Sequence, residues 1–137
     1  MKLLVGGILL SVAACEPSGV EPMAIDPQLG ERSYQKCYSC HALEQGKNDL
    51  TGPTLFRIVG RSVAAEPGYD YSPALRSLAQ VEPLWTKALL DRFVRDPEAL
   101  APGTSMTFHG IDDPAERAAL IAYLERGQTS ASAASLP

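Results

Sequence analysis

Five residues, Cys37-Tyr38-Ser39-Cys40-His41, limit this chain more than any other feature. Wound as a helical turn, they set two thiols three positions apart with an imidazole directly after the second. That is the C-x-x-C-H spacing in which two cysteine sulfurs add to the vinyl groups along one side of a porphyrin. The histidine then lies under the iron, where a neutral imidazole nitrogen is a good axial ligand. Cys37 and Cys40 are therefore read as attachment points of one covalent haem c, and His41 as its first metal ligand. Two other uses of the pair fit less well. A redox C-x-x-C sits beside a strand in a βαβ pattern, which is missing, and a zinc site needs a second ligand pair where only His109 remains.

At 137 residues the chain has room for one domain, with a core of about a hundred residues once its ends are discounted. Aromatic residues make up 7%, and there are eleven glycines and eleven prolines, so an ordinary core would be thin unless something else filled the middle, as a large apolar cofactor would. The formal charge of −4 leaves no basic stripe to replace the counterions of a phosphate backbone, which excludes nucleic acid as a partner. Three cysteines, one of them far from the other two, exclude a multi-disulfide framework.

The lone cysteine, Cys15, has its own explanation. Residues 1–14 carry one charge, Lys2, followed by an apolar run from Leu3 to Ala14 of the length of a signal-peptide core. The run is too short to span a bilayer, which takes ~20 residues. It ends in Ser11-Val12-Ala13-Ala14-Cys15, and small residues before a cysteine resemble the lipobox of bacterial lipoproteins. Residues 1–14 are thus expected to be a lipoprotein signal peptide, and Cys15 the lipidated first residue of the mature protein. Ordinary secretion with cleavage near Ala14 is the plainer alternative. Residues 15–29 hold three prolines and no apolar period, and read as a tether. Its 14 residues after Cys15 reach about 45 Å, at ~3.3 Å each. Residues 128–137, rich in Ser and Ala, read as a disordered tail.

A low-spin iron needs a second axial ligand, and Met23, Met106 and His109 are the choices. Met23 lies in the tether. Met106 ends Ala101-Pro102-Gly103-Thr104-Ser105-Met106, a turn-rich segment able to fold over a haem face. A methionine flanked by polar residues fits poorly as core filler, and a histidine in a polar loop is more often solvated. Met106 is taken as the second metal ligand.

No strand pattern of any length occurs, so the fold class is all-α, small, with four or five helices and long loops around the haem. Gly30 to Cys40 is expected to form the helix that delivers the motif. Ser72-Pro73 caps a short helix through about Ala79. Leu84 to Arg95 carries Leu84, Ala88, Leu89 and Phe93 at helical spacing and is ended by Pro97. Asp113-Pro114-Ala115-Glu116 reads as a capping box for a last helix that Gly127 stops.

Further segments follow in an order that resembles one family: Thr51-Gly52-Pro53-Thr54-Leu55, Val59-Gly60-Arg61, Pro67-Gly68-Tyr69-Asp70-Tyr71-Ser72, Trp85, Pro102 to Met106, and Leu120 to Leu124. From residue 30 to 127 the chain looks like a class I cytochrome c of the mitochondrial-like branch, in a bacterial, membrane-anchored lipoprotein form. The resemblance implies that the Pro53 carbonyl accepts the Nδ1 proton of His41, and that Leu55, Leu75 and Phe108 line the haem pocket together with Thr104. It also implies that Arg61, Tyr71 and Trp85 hold the haem propionates, and that Gly30 and Tyr34 cross Leu120 and Tyr123. Phe93 stands where many relatives have a tyrosine whose hydroxyl reaches the methionine sulfur. Ser105 replaces a lysine, and Glu98, Asp112 and Asp113 stand in the place of a lysine ring, of which Lys36 is retained.

The implied function is electron transport by outer-sphere transfer, with no substrate transformed, so no enzyme is expected. A peroxidase or gas-binding protein would need an open sixth position, against which Met106 counts. The expected partners are respiratory or other redox complexes, such as a cytochrome bc1-type donor and a terminal oxidase or dehydrogenase, met by a monomer at the periplasmic face of a bacterial membrane. Whether it shuttles or stays as a fixed subunit depends only on how long the partner is held.

Overall fold

The computed structural model describes residues 24–133. The expected signal peptide, Cys15 and Met23 lie outside the described residues, as do residues 134–137.

Helix α1, Pro27–Tyr34, starts where local chemistry favours it: Asp26 accepts a hydrogen bond from the Gln28 N–H at 2.9 Å, and Pro27 takes the first helical position. It therefore begins three residues before Gly30, inside the stretch read as tether. It also ends early, at Tyr34. Beyond it the chain stays wound by a mixture of i→i+3 and i→i+4 bonds up to His41, so a tightened run of turns, and not a continuous α-helix, delivers the cysteine motif.

The long loop from Ala42 to Tyr71 is organised by Thr54, which is buried at 1% exposure. Its hydroxyl donates to the Glu44 carbonyl at 2.7 Å and accepts from the Phe56 N–H at 3.0 Å, while its own N–H donates to the Asn48 side chain at 2.9 Å. Satisfying these groups is what allows an irregular segment to lie inside. Helix α2, Pro73–Val81, is capped by Ser72 as expected. Residues 83–85 then pair with 60–63: Gly60 and Val63 donate to Trp85 and Pro83, and Trp85 donates to Arg61. This extended pairing includes Leu84, which is exposed, so helix α3 begins later than its apolar spacing suggested, at Lys87–Arg95 with Thr86 as its cap. The face of α3 that enters the core is Leu89, Leu90 and Phe93, whereas Ala88 is exposed.

Asp96 ends α3 and caps a short helix absent from the sequence reading, α4, Pro97–Leu100. Helix α5, Pro114–Ala133, runs through Gly127, because a glycine inside a helix costs only about 1 kcal/mol and the Gln, Ser and Ala residues after it tolerate helix. Part of the expected tail, residues 128–133, is thus helical. Asp113 caps α5 through the Ala115 N–H at 2.9 Å, but the expected capping box does not close. Glu116 turns instead to Ser33 of α1 and to Lys36 just beyond it, accepting from both.

The crossing of α1 and α5 ties the two ends of the domain together. A Cβ on Gly30 would lie 2.3 Å from the Ala119 carbonyl oxygen, so only glycine permits this approach. Tyr34 and Tyr123 pack beside it with ring centroids 5.6 Å apart. Arg117, buried in α5, bonds Asp91 of α3 at 2.7 Å and the carbonyls of Ile111 and Asp112 at 2.9 and 2.8 Å. The described residues contain five helices and one isolated bridge, Ser62 to Leu84, and no strand.

Candidate haem site

The cysteine motif is fastened from both sides. His41 N–H donates to the Cys37 carbonyl at 2.9 Å, closing the turn that sets the two sulfurs and the imidazole in sequence. On the outside, the Tyr34 hydroxyl donates to the His41 carbonyl at 2.7 Å, and Gly52 N–H donates to the Cys40 carbonyl at 2.7 Å. Burial pushes the pKa of the free Cys37 thiol up to about 11, and Cys37 packs, partly buried, against the apolar core.

The His41 imidazole is oriented by two neighbours. Its Nδ1 lies 2.7 Å from the Pro53 carbonyl oxygen, which can only accept, so Nδ1 carries the proton and the Nε2 lone pair is left for a metal. A Cβ on Gly52 would lie 2.3 Å from the ring Cε1, so the backbone there passes flat against the imidazole. Burial holds the imidazole pKa below its ordinary value, which keeps it neutral, against the opposing effect of the Pro53 hydrogen bond.

The segment bearing Met106 is a bridge between α4 and α5 pinned at both ends. Gly103 N–H donates to the Glu98 carboxylate at 3.0 Å and Thr104 N–H to the Ala101 carbonyl at 2.9 Å. Met106 N–H reaches the Thr104 hydroxyl at 3.3 Å, and Ile111 N–H returns the chain to the Val94 carbonyl at 2.9 Å. Met106 and Phe108 turn inward against the core, on the same apolar cluster as Cys37, Leu55, Tyr71, Leu75 and Trp85. Ser105 and His109 are exposed.

Arg61 is held almost completely. One terminal nitrogen donates to the Phe56 carbonyl at 2.9 Å and to Glu66 at 3.0 Å, the other to the Thr54 carbonyl at 2.8 Å. Its Nε is buried with no partner. A buried N–H of a charged group without an acceptor is costly, and an acidic group of a cofactor is the kind of partner that would remove that cost. Tyr71 accepts from the Glu66 N–H at 3.3 Å, and Trp85 packs edge-on to Phe93 at 5.1 Å. Two sulfurs, an oriented imidazole, an inward thioether and an orphaned guanidinium nitrogen together suit a haem with its two carboxylates.

The cytochrome c family model matches residues 27–128. The chain belongs to the cytochrome c family. Cytochrome c2 of Rhodomicrobium vannielii is 32% identical over 121 residues, which are 88% of this chain and 90% of that protein. Cytochrome c2 of Rhodopila globiformis is 40% identical over 101 residues, covering 73% and 92%. Among solved structures, cytochrome cH from Methylobacterium extorquens superposes with a TM-score of 0.65 at 35% identity, over 74% of this chain and 98% of its own. As a cytochrome c, the chain carries one haem c attached through Cys37 and Cys40 and serves as an electron carrier, not an enzyme.

Several residues of this cytochrome site escaped the sequence reading. Asn48 donates to Glu66 at 3.1 Å and to the Pro67 carbonyl at 3.2 Å, and with Glu66 it forms a polar cluster around Arg61. Glu98 appeared only as a surface charge, yet it fastens the methionine segment. None of these lies in a motif, and their pairings span 5 to 19 positions, so only the fold brings them together.

Proposed function

We propose that His41 and Met106 are the axial ligands of the iron, and that the protein moves electrons by outer-sphere transfer between redox complexes at the periplasmic face of a bacterial membrane. The observation that carries this reading is the pairing of an imidazole locked by Pro53 with a methionine segment pinned on both sides and turned into the same apolar cluster. The haem supplies the one-electron couple. The chain holds the imidazole in one tautomer, keeps the thioether from swinging away and excludes water with its apolar lining. Arg61, Tyr71 and Trp85 would hold the propionates, with Leu55, Leu75, Thr104 and Phe108 around the ring. Thioether ligation favours ferrous iron, so Met106→Ala should lower the reduction potential and alter the spectrum, whereas His109→Ala should change neither. The reverse pattern would reject the assignment.

No helix among the described residues is long and apolar enough to cross a membrane. The proposed attachment is lipid on Cys15, followed by a tether that ends at Asp26. Several acyl chains on one residue anchor stably where one is marginal. Cys15→Ser should release the exported protein from washed membranes with its haem intact; protein that still sediments would contradict the anchor.

Partners are proposed to include a cytochrome bc1-type donor and a terminal oxidase or dehydrogenase. Loss of residues 1–14 removes Lys2 and leaves 11 basic against 16 acidic side chains, a formal −5. Lys36, one residue that matches the family's lysine ring, is paired with Glu116, while Glu98, Asp112 and Asp113 are exposed. An acidic docking face would be repelled, so the partner's face is neutral or basic. Confinement to one membrane supplies effective concentration without charge steering.

A further inference from the structure

The Arg61–Glu66 ion pair ties the loop after His41 to itself: the two side chains are 17% and 11% exposed at an N–O distance of 3.0 Å. The second carboxylate oxygen of Glu66 accepts from Asn48 at 3.1 Å. The backbone N–H of Glu66 donates to the Tyr71 hydroxyl at 3.3 Å. One residue thus touches both Arg61 and Tyr71, two of the three side chains placed at the propionates. Arg61 in turn does not present a free charge there. Its terminal nitrogens are spent on Glu66 and on two carbonyls, and Nε alone lacks a partner.

An electron arriving at the iron adds one negative charge, so a positive group nearby raises the reduction potential and a negative group lowers it. Such effects are larger and less screened by salt where water is excluded. We propose that Glu66 is a potential-setting residue of this cytochrome, its part-buried carboxylate offsetting part of the Arg61 charge at the haem and holding the potential down. The inference rests on the placement of Arg61 beside the haem carboxylates. Tyr71 lies within reach of both charges: burial raises its pKa above the ordinary value, the hydrogen bond from the Glu66 N–H and the Arg61 charge lower it, and the Glu66 charge raises it. Asp70 and Arg76 form a comparable pair at the surface, where Asp70 is 95% exposed, and water there leaves little influence on the iron.

The test is the midpoint potential of the haem-loaded full chain by spectroelectrochemistry. Glu66→Gln keeps the shape and the acceptor oxygen while removing the charge, and should shift the potential upward. Glu66→Asp keeps the charge and should stay close to the unaltered protein, as should Asp70→Asn. Glu66→Met, uncharged and of similar length, is the second neutral variant should the amide fail to mature. A potential in the neutral variants equal to or below that of the unaltered protein overturns the proposal. So does an upward shift in Glu66→Asp as large as in Glu66→Gln, which would mark Glu66 as a purely structural fastener. Arg61→Gln separates the two levels of the inference. If it lowers the potential while Glu66→Gln leaves it unmoved, Arg61 stands at the haem and only the Glu66 role fails. If neither variant moves it, the placement of Arg61 itself is wrong.

Discussion

Gly52 passes so close to His41 that a single added carbon would lie 2.3 Å from the ring Cε1, 2.6 Å from Nδ1 and 2.8 Å from Nε2. The same turn presents the Pro53 carbonyl to Nδ1 at 2.7 Å, so residues 52 and 53 together hold both the position and the tautomer of the imidazole. Gly52→Ala should therefore displace the ring and weaken its bond to iron. The expected outcome is reduced yield of haem-loaded protein and partial loss of the low-spin absorption spectrum, at a stability cost of about 1–3 kcal/mol for overpacking. A variant with unaltered spectrum and thermal midpoint would contradict the contact.

Gly30 makes the corresponding contact between the first and last helices, against a backbone carbonyl that cannot step aside. Gly30→Ala should cost about 1–3 kcal/mol through a clash with the Ala119 backbone and the Tyr123 side chain. For a domain of this size that is a fall in Tm of roughly 4–8 °C per kcal/mol. The potential should not change, which distinguishes this variant from those at the haem.

Tyr71 supplies the pH dependence. Its folded-state pKa is raised above the ordinary tyrosine value of about 10, chiefly by burial, so the native state prefers the neutral phenol. That preference stabilises the fold fully below pH ~10 and is lost as the pH rises through the folded value, because the unfolded chain ionises first. The urea midpoint should fall above pH ~10, and Tyr71→Phe should flatten part of the fall. Tyr34, raised by burial in the same direction, accounts for a further part. A midpoint profile identical in Tyr71→Phe and the unaltered protein would count against this.

Phe93 is buried and packs edge-on to Trp85 at 5.1 Å. The family resemblance puts at this position a tyrosine whose hydroxyl reaches the methionine sulfur. Phe93→Tyr should therefore raise the reduction potential, because a proton donated to that sulfur makes it a poorer partner for ferric iron. A downward shift measured by redox titration would reject the relation between residues 93 and 106.

Motif-bound parts of the molecule were legible before the structure. The attachment motif, the Pro53 carbonyl on His41, the Ser72 cap and the Gly30 crossing all depend on residues fixed by short-range chemistry or by family order. At Glu116 and Leu84, where the reading failed, a tertiary partner outweighed a local signal, and at Gly127 the signal itself was weak. Glu116 had a capping position and went to Ser33 and Lys36 instead. Leu84 matched a helical period and was drawn into pairing with Ser62. Gly127 looked like a stop, yet α5 continues past it. The cluster of Asn48, Arg61 and Glu66 had no local signature, since its members come from separate turns of an irregular loop.

Redox titration of the haem-loaded protein, followed by absorption and by proton NMR of the reduced state, tests the central assignment most directly. The expected result is one reversible one-electron transition, low-spin six-coordinate iron in both states, and a methionine methyl resonance shifted strongly upfield by the haem ring. That resonance should vanish in Met106→Ala and persist in His109→Ala. A five-coordinate ferrous form that binds carbon monoxide without displacing a ligand, or an upfield methyl that survives Met106→Ala, would contradict ligation by His41 and Met106.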